Sequence, residues 1–251
     1  GLETIAITDH DCVDALDNSL ETYAKERQIG LIPGVELSCR EKERDVHILG
    51  YFVDFKDAAF RNVLSQLRES RVQRCHKILE LLKANGIPLS FEDIAAKAKG
   101  AVGRAHIARA MIEGGYVHTM KEAFTRYLGD EGSCYVEKSR LSIPQAIALI
   151  KNTGGVSVLA HPVLIGDEEI VRKVIEAGVE GIEVYHRNQG EREQQHYLAL
   201  AREAGLLVTG GSDFHGSYPN ERLGQYKLDS RYVDRLWEYH KEQMGKSETS
   251  K

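Results

Sequence analysis

The sequence predicts an α/β fold built as an incomplete, distorted barrel and interrupted by a helical insertion. Three observations carry this reading. Short apolar runs rich in β-branched residues alternate with stretches of helical periodicity. Most of these runs end abruptly on His, Asp or Glu, which suits the carboxyl-end rim of a barrel better than an open sheet with one switch point. Between about Ala58 and Tyr135 no convincing strand is found.

In chain order, Leu2 to Ile7 reads as a buried strand ending on Thr8, Asp9, His10 and Asp11. Val13 to Arg27 has helical spacing, with Leu16, Leu20, Tyr23 and Ala24 on one side and Gly30 as the stop. Leu31 to Glu36 is a second strand and Asp45 to Val53 a third, whose imperfect alternation implies burial on both faces. A long helix runs from Asp57 to about Gly86, and shorter helices start near Ser90, Gly103 and Thr119. The strand–helix rhythm then resumes: helix Pro144–Lys151, strand Val156–Ala160, helix Glu168–Ala177, strand Gly181–Tyr185, helix Glu191–Ala204, strand Leu206–Thr209 and helix Arg231–Gln243. Right-handed crossovers between such units predict a parallel sheet. The expected division is a barrel domain of residues 1–57 and 136–244, a helical insertion of 58–135, and a disordered tail of 245–251. The chain opens at Gly1 and enters a core strand at once, so an upstream segment is expected.

With 251 residues, 42% hydrophobic and 28% charged, the composition is that of a globular protein. A net charge of -5 argues against broad binding of long nucleic acid, while leaving room for a local basic pocket. No apolar run approaches the roughly 20 residues needed to cross a bilayer, and no signal peptide is visible. Cys12, Cys39, Cys75 and Cys134 are scattered without CxxC spacing, which fits reduced thiols in a cytoplasm.

The chemistry concentrates at strand ends: Asp9-His10 in ITDHD, Glu36 in PGVE, His161 in LAHP, and Asp213 with His215 in GGSDFH. His47, within the third strand, adds a fifth contributor. Imidazole and carboxylate together are the donors that hold Zn²⁺, Mn²⁺ or Fe²⁺, and a barrel rim brings ligands distant in sequence into one pocket. Other residues read as structural. His76, His118, His196 and His240 fall on helices or their ends; Glu183 and His186 end a strand and are set aside as ligands; Gly210-Gly211 read as turn residues; Cys12 has no activating base.

TDHD, GVE, VHILGY, LAHP and SDFH, in that order, resemble the polymerase and histidinol phosphatase (PHP) family of metal-dependent phosphoesterases. The resemblance extends over nearly the whole chain, and is strongest to the bacterial branch with a helical insertion. Members of that branch remove phosphate from 3′,5′-nucleoside bisphosphates or trim short oligonucleotides from the 5′ end. The resemblance implies a distorted seven-stranded barrel with two or three divalent ions. It implies His10, Glu36, His47, His161, Asp213 and His215 as ligands, with Glu36 bridging two ions. Water activated by the ions would attack phosphorus, so no protein nucleophile is needed. In the insertion, Gly103-Arg104-Ala105-His106-Ile107-Ala108 is similar to a family segment that faces the metal site, giving Arg104 and His106 as phosphate contacts, with Lys138 as a further one. The implied partner is a small nucleotide or short oligonucleotide. Two departures stand out. The family's opening HxH strand and its downstream Asp are absent, and Val163-Leu164 replaces the Gly-Arg that often follows the AHP motif. The first departure raises the alternative of a non-catalytic metal-binding remnant or scaffold.

Overall fold

The structure is a computed structural model that describes residues 1–98, 102–138, 140–215 and 222–248. By contacts the chain separates into two compact units, Gly1–Arg61 with Arg140–Lys251, and Asn62–Ser139.

The first unit is built on a six-stranded curled sheet in the order β1 to β6. Strand β1 (Thr4–Ile7) is followed by helix α1 (Asn18–Glu26), and β2 (Gly30–Glu41) by β3 (Arg44–Tyr51). Helix α2 (Ala58–Ala84) leads into the second unit, which contains α3 (Phe91–Lys97), α4 (Arg104–Glu113) and α5 (Met120–Ala123). The first unit continues with α6 (Ile143–Asn152), β4 (Val156–Leu159), α7 (Glu168–Glu176), β5 (Gly181–His186), α8 (Glu191–Ala204), β6 (Leu207–Gly211) and α9 (Ser230–Glu248).

The sheet is mixed, which corrects the expectation of a parallel one. β3 runs antiparallel to both β2 and β4, whereas β1–β2, β4–β5 and β5–β6 are parallel. Only Lys42 and Glu43 separate β2 from β3, and a connection that short can only reverse the chain. Lys42 takes the required left-handed turn at φ 51°. β2 also runs to Glu41, five residues past the predicted end at Glu36, because Leu37 and Cys39 stay fully buried. At the other end of that strand Gly34 is obligatory: a Cβ there would lie 2.8 Å from the Gly50 carbonyl oxygen and 3.0 Å from that of Ile7.

Three further boundaries move. Helix α1 starts at Asn18 rather than Val13, because Asp17 Oδ1 accepts the Leu20 amide at 2.8 Å and caps it there. Gly210 and Gly211 belong to β6, pairing with Tyr185 and His186. α9 continues as far as Glu248, so the first residues of the expected disordered tail, from Gly245, are helical; residues 249–251 lie outside the described ones.

Helices cover the sheet through apolar faces. Ile147 and Ile150 of α6, Ile170, Val171 and Val174 of α7, and Leu200 and Ala201 of α8 are buried, as is Leu236 of α9 against Phe52, Val156 and Val158. Each such large aliphatic side chain contributes about 1.5–3 kcal/mol of burial free energy. The second unit has no strand among its described residues; Ile78, Leu82, Ile107, Met111 and Leu128 are fully buried in its own core. No helix among the described residues is long and apolar enough to cross a membrane.

Candidate metal centre

His10 is positioned by main chain. Beyond β1 it forms an isolated parallel bridge with Glu36: the Asp11 amide donates to the Glu36 carbonyl at 2.9 Å, and the Glu36 amide to the Asp9 carbonyl at 3.0 Å. Asp11 itself turns inward at φ 51° and takes the Ser38 amide at 2.8 Å, so the second Asp of TDHD acts as a buried brace. β3 presents His47 opposite Ser38 in register, and β4 delivers His161 just past its end.

These side chains meet on one carboxylate. Glu36 Oε1 lies 2.7 Å from His47 Nδ1 and 3.0 Å from His161 Nε2, and Oε2 is 3.9 Å from His10 Nε2. The His47 and His161 nitrogens are 3.2 Å apart. One donor atom from each of His10, Glu36 and His47 lies within 4.8 Å of the others. His215 closes on the same group, its ring centroid 5.9 Å from that of His10. Asp213, at φ 48°, faces His215 Nδ1 at 3.3 Å, Arg187 Nη2 at 3.1 Å and His186 Nε2 at 3.7 Å. All six residues expected as ligands therefore lie in the first unit, and the contacts above link them into one chain of neighbours.

The electrostatics match an anionic centre among imidazoles. Burial opposes ionisation of Glu36, but the hydrogen bonds from His161 and His47, with the charge of His10, outweigh it and hold the carboxyl well below the usual carboxylate range. Burial likewise opposes charge on His161, and the bond to Glu36 reverses this, raising its pKa. For His10 burial wins and lowers it. Asp213 is also lowered, with His186 and His215 overcoming its burial. An ionised carboxylate ringed by imidazole nitrogens, all held on or just beyond strands, is a donor set that fits a divalent cation.

Some residues set aside from the sequence prove to belong here. Glu183 is buried and its Oε2 accepts the His161 amide at 2.8 Å. Burial, only partly offset by His186 and the His161 amide, pushes its carboxyl up to about 7. His186 is buried too; its Nδ1 accepts the Asn188 amide at 3.2 Å, which leaves the proton on Nε2, facing Asp213 rather than offering a lone pair. Arg187 carries no sequence signal, being one Arg after a strand. The sequence signal for Glu183 is a carboxylate near the close of an apolar run, and nothing local separates it from a solvated one.

In the second unit, Arg104 donates through Nη1 to the Leu128 carbonyl at 2.9 Å and pairs with Asp130 at 3.1 Å. His106 Nδ1 accepts the Gly103 amide at 3.3 Å, which places the proton of the neutral ring on Nε2. Lys138 is half-buried. The helical histidines behave as structural residues: His76 packs on Phe91, His240 stacks on Phe52 at 4.3 Å, and His196 pairs with Glu168 at 3.0 Å.

No family model matches the chain. It is 34% identical over 245 residues to the 5′-3′ exoribonuclease Rnm of Salmonella typhimurium, covering 94% of this chain and 83% of that protein. It is 31% identical over 221 residues to the 3′,5′-nucleoside bisphosphate phosphatase of Chromobacterium violaceum, covering 84% and 76%. Among solved structures, a candidate metal-dependent phosphoesterase from Bifidobacterium adolescentis superposes with a TM-score of 0.78 at 29% identity, over 94% of this chain and 85% of that one. An amidohydrolase from Chromobacterium violaceum, solved with sulfate and without metal, gives 0.78 at 28% identity, over 96% and 86%.

Proposed function

This chain belongs to the PHP family of metal-dependent phosphoesterases, and we propose that it hydrolyses a nucleotide phosphate ester, either the phosphomonoester of a 3′,5′-nucleoside bisphosphate or the terminal phosphodiester of a short 5′-phosphorylated oligonucleotide. The observation that carries the proposal is the Glu36 carboxylate shared by His47 and His161 at 2.7 and 3.0 Å. His10, Glu36, His47, His161, Asp213 and His215 are the proposed ligands of two or three ions, with Mn, Fe or Zn suited to the donors. When bound, such ions supply Lewis acidity and a water of lowered pKa.

The protein's own contributions follow from its contacts. Glu36, kept ionised by its imidazoles, supplies negative charge to the centre. Arg187 fixes Asp213, leaving its other oxygen to His215. Arg104, His106 and Lys138 are proposed as substrate phosphate contacts on the family resemblance; the tautomer of His106 gives it an Nε2 proton to donate. A net charge of -5 favours short over long nucleic acid. The cysteines Cys12, Cys39, Cys75 and Cys134 all stand as thiols, which suits a reducing cytoplasm.

A non-catalytic scaffold is the disfavoured alternative, because a remnant gains nothing from an assembled His/carboxylate cluster. The deciding experiment assays a nucleoside 3′,5′-bisphosphate beside a short 5′-phosphorylated RNA, after chelation and again after adding Mn²⁺. Chelation is expected to abolish turnover and Mn²⁺ to restore it. Turnover indifferent to chelator would contradict the proposal, and the preferred substrate separates the two ester classes.

A further inference from the structure

We infer that Glu183 is a positioning residue for His161: its side chain takes over the His161 amide where the sheet stops, and so fixes the direction of that imidazole. The inference rests on the reading of His161 as a metal ligand.

The Ala160 amide still pairs in the sheet, donating to the His47 carbonyl at 3.1 Å. The next residue, His161, leaves the ladder at φ 26° and ψ 59°, a left-handed conformation that non-glycine residues rarely adopt and that persists only when neighbours enforce it. Its buried amide has lost its strand partner and needs another acceptor. Glu183 Oε2 supplies it at 2.8 Å.

The aim of Glu183 is itself built. β5 pairs with β4 as far as Leu159↔Ile182, so Glu183 is the first residue of β5 beyond that pairing. Its other edge carries an irregularity: Glu183 is opposite Thr209 and Tyr185 opposite Gly210, so Val184 is extra and the strand bulges there. Bulges of this kind redirect a neighbouring side chain. Gln189, itself buried, donates Nε2 to the Glu183 carbonyl at 3.2 Å and also to the carbonyl of Val184, the bulged residue. Because the amide is a donor and needs only an oxygen, a glutamine at this position keeps the contact. Leucine keeps the bulk without the acceptor, and aspartate keeps the charge but withdraws the oxygen by about 1.5 Å.

The experiment measures Co²⁺ affinity by titration calorimetry and the visible Co²⁺ band for the full chain and for Glu183→Gln, Glu183→Leu and Glu183→Asp. Thermal midpoints without metal serve as the folding control. Glu183→Gln is expected to bind within about threefold of wild type with an unchanged band. Glu183→Leu and Glu183→Asp are expected to weaken binding by about 10- to 100-fold, as removal of an outer-shell partner does, and to shift the band. If Glu183→Leu fails to fold, the Asp and Gln variants carry the comparison. Equal affinity in Glu183→Asp and wild type, or an equal loss in Glu183→Gln and Glu183→Asp, would overturn the inference. A wild type that binds no Co²⁺ would defeat the functional reading as well, and is distinct from a wild type that binds beside variants that bind equally.

Discussion

Glu36 and Glu183 are the same residue type, each 5% exposed and each within a strand of the same unit, and their surroundings shift their pKa values in opposite directions. Around Glu36 stand His47, His161 and His10, and its pKa falls. Around Glu183 burial dominates, Glu36 adds a like charge, and the pKa rises to about 7. Equal burial thus yields an anion in one place and a readily protonated acceptor in the other. The difference lies in which neighbours can hold positive charge. It sorts the two acids by role: Glu36 suits a cation, Glu183 a backbone amide.

The comparison breaks most severely at Glu36. Glu36→Gln leaves His10, His47 and His161 without their shared anion and is expected to lower divalent-metal affinity by more than about 100-fold, beyond what an outer-shell loss costs, with activity falling in parallel. Elemental analysis after dialysis checks this, and a variant that retains wild-type metal content would place the ions elsewhere.

The second effect is a pH dependence in the metal-free protein. Between the unfolded value near 4.5 and the folded value of about 7, Glu183 holds a proton in the native state that the unfolded chain has released. Native stability from this group is therefore full below about 4.5, declines as pH rises across that window, and is lost above about 7, by at most about 3 kcal/mol. Glu183→Gln should flatten that decline in urea titrations between about pH 5 and about pH 8. An unaltered slope would mean that Glu183 is ionised throughout.

The smallest effect concerns Asp213, whose oxygen is held by Arg187 at 3.1 Å in a partly exposed pair. Arg187→Ala should cost about 1 kcal/mol of metal affinity, roughly fivefold, since only one of the restraints on Asp213 is lost. A loss as large as that of Glu36→Gln would make Arg187 a principal determinant of the centre.

Much of this was legible in the sequence, for a physical reason. An apolar run that stops on His or Asp marks where burial ends, so Asp9-His10, His161 and Asp213 announced strand ends without any knowledge of pairing, whereas β2 runs on past Glu36 to Glu41. Helix boundaries at Ser90, Thr119 and Glu191 were readable because caps and periodicity are local. The direction of β3 was not, because Ser38, Cys39 and Arg40 carry no turn signature and the reversal rests on Lys42 adopting a left-handed backbone. Nor were the roles of Asp11 and Glu183, since a buried acid that accepts a distant amide looks in sequence like any carboxylate at a strand end. Their partners, Ser38 and His161, lie 27 and 22 residues away.

Crystals soaked in Mn²⁺ and measured at the manganese absorption edge test the central claim most directly. The account predicts an anomalous peak bonded to Glu36 and to imidazole nitrogens from His10, His47 or His161. A peak bound elsewhere, or none in protein that still hydrolyses the ester, would contradict it.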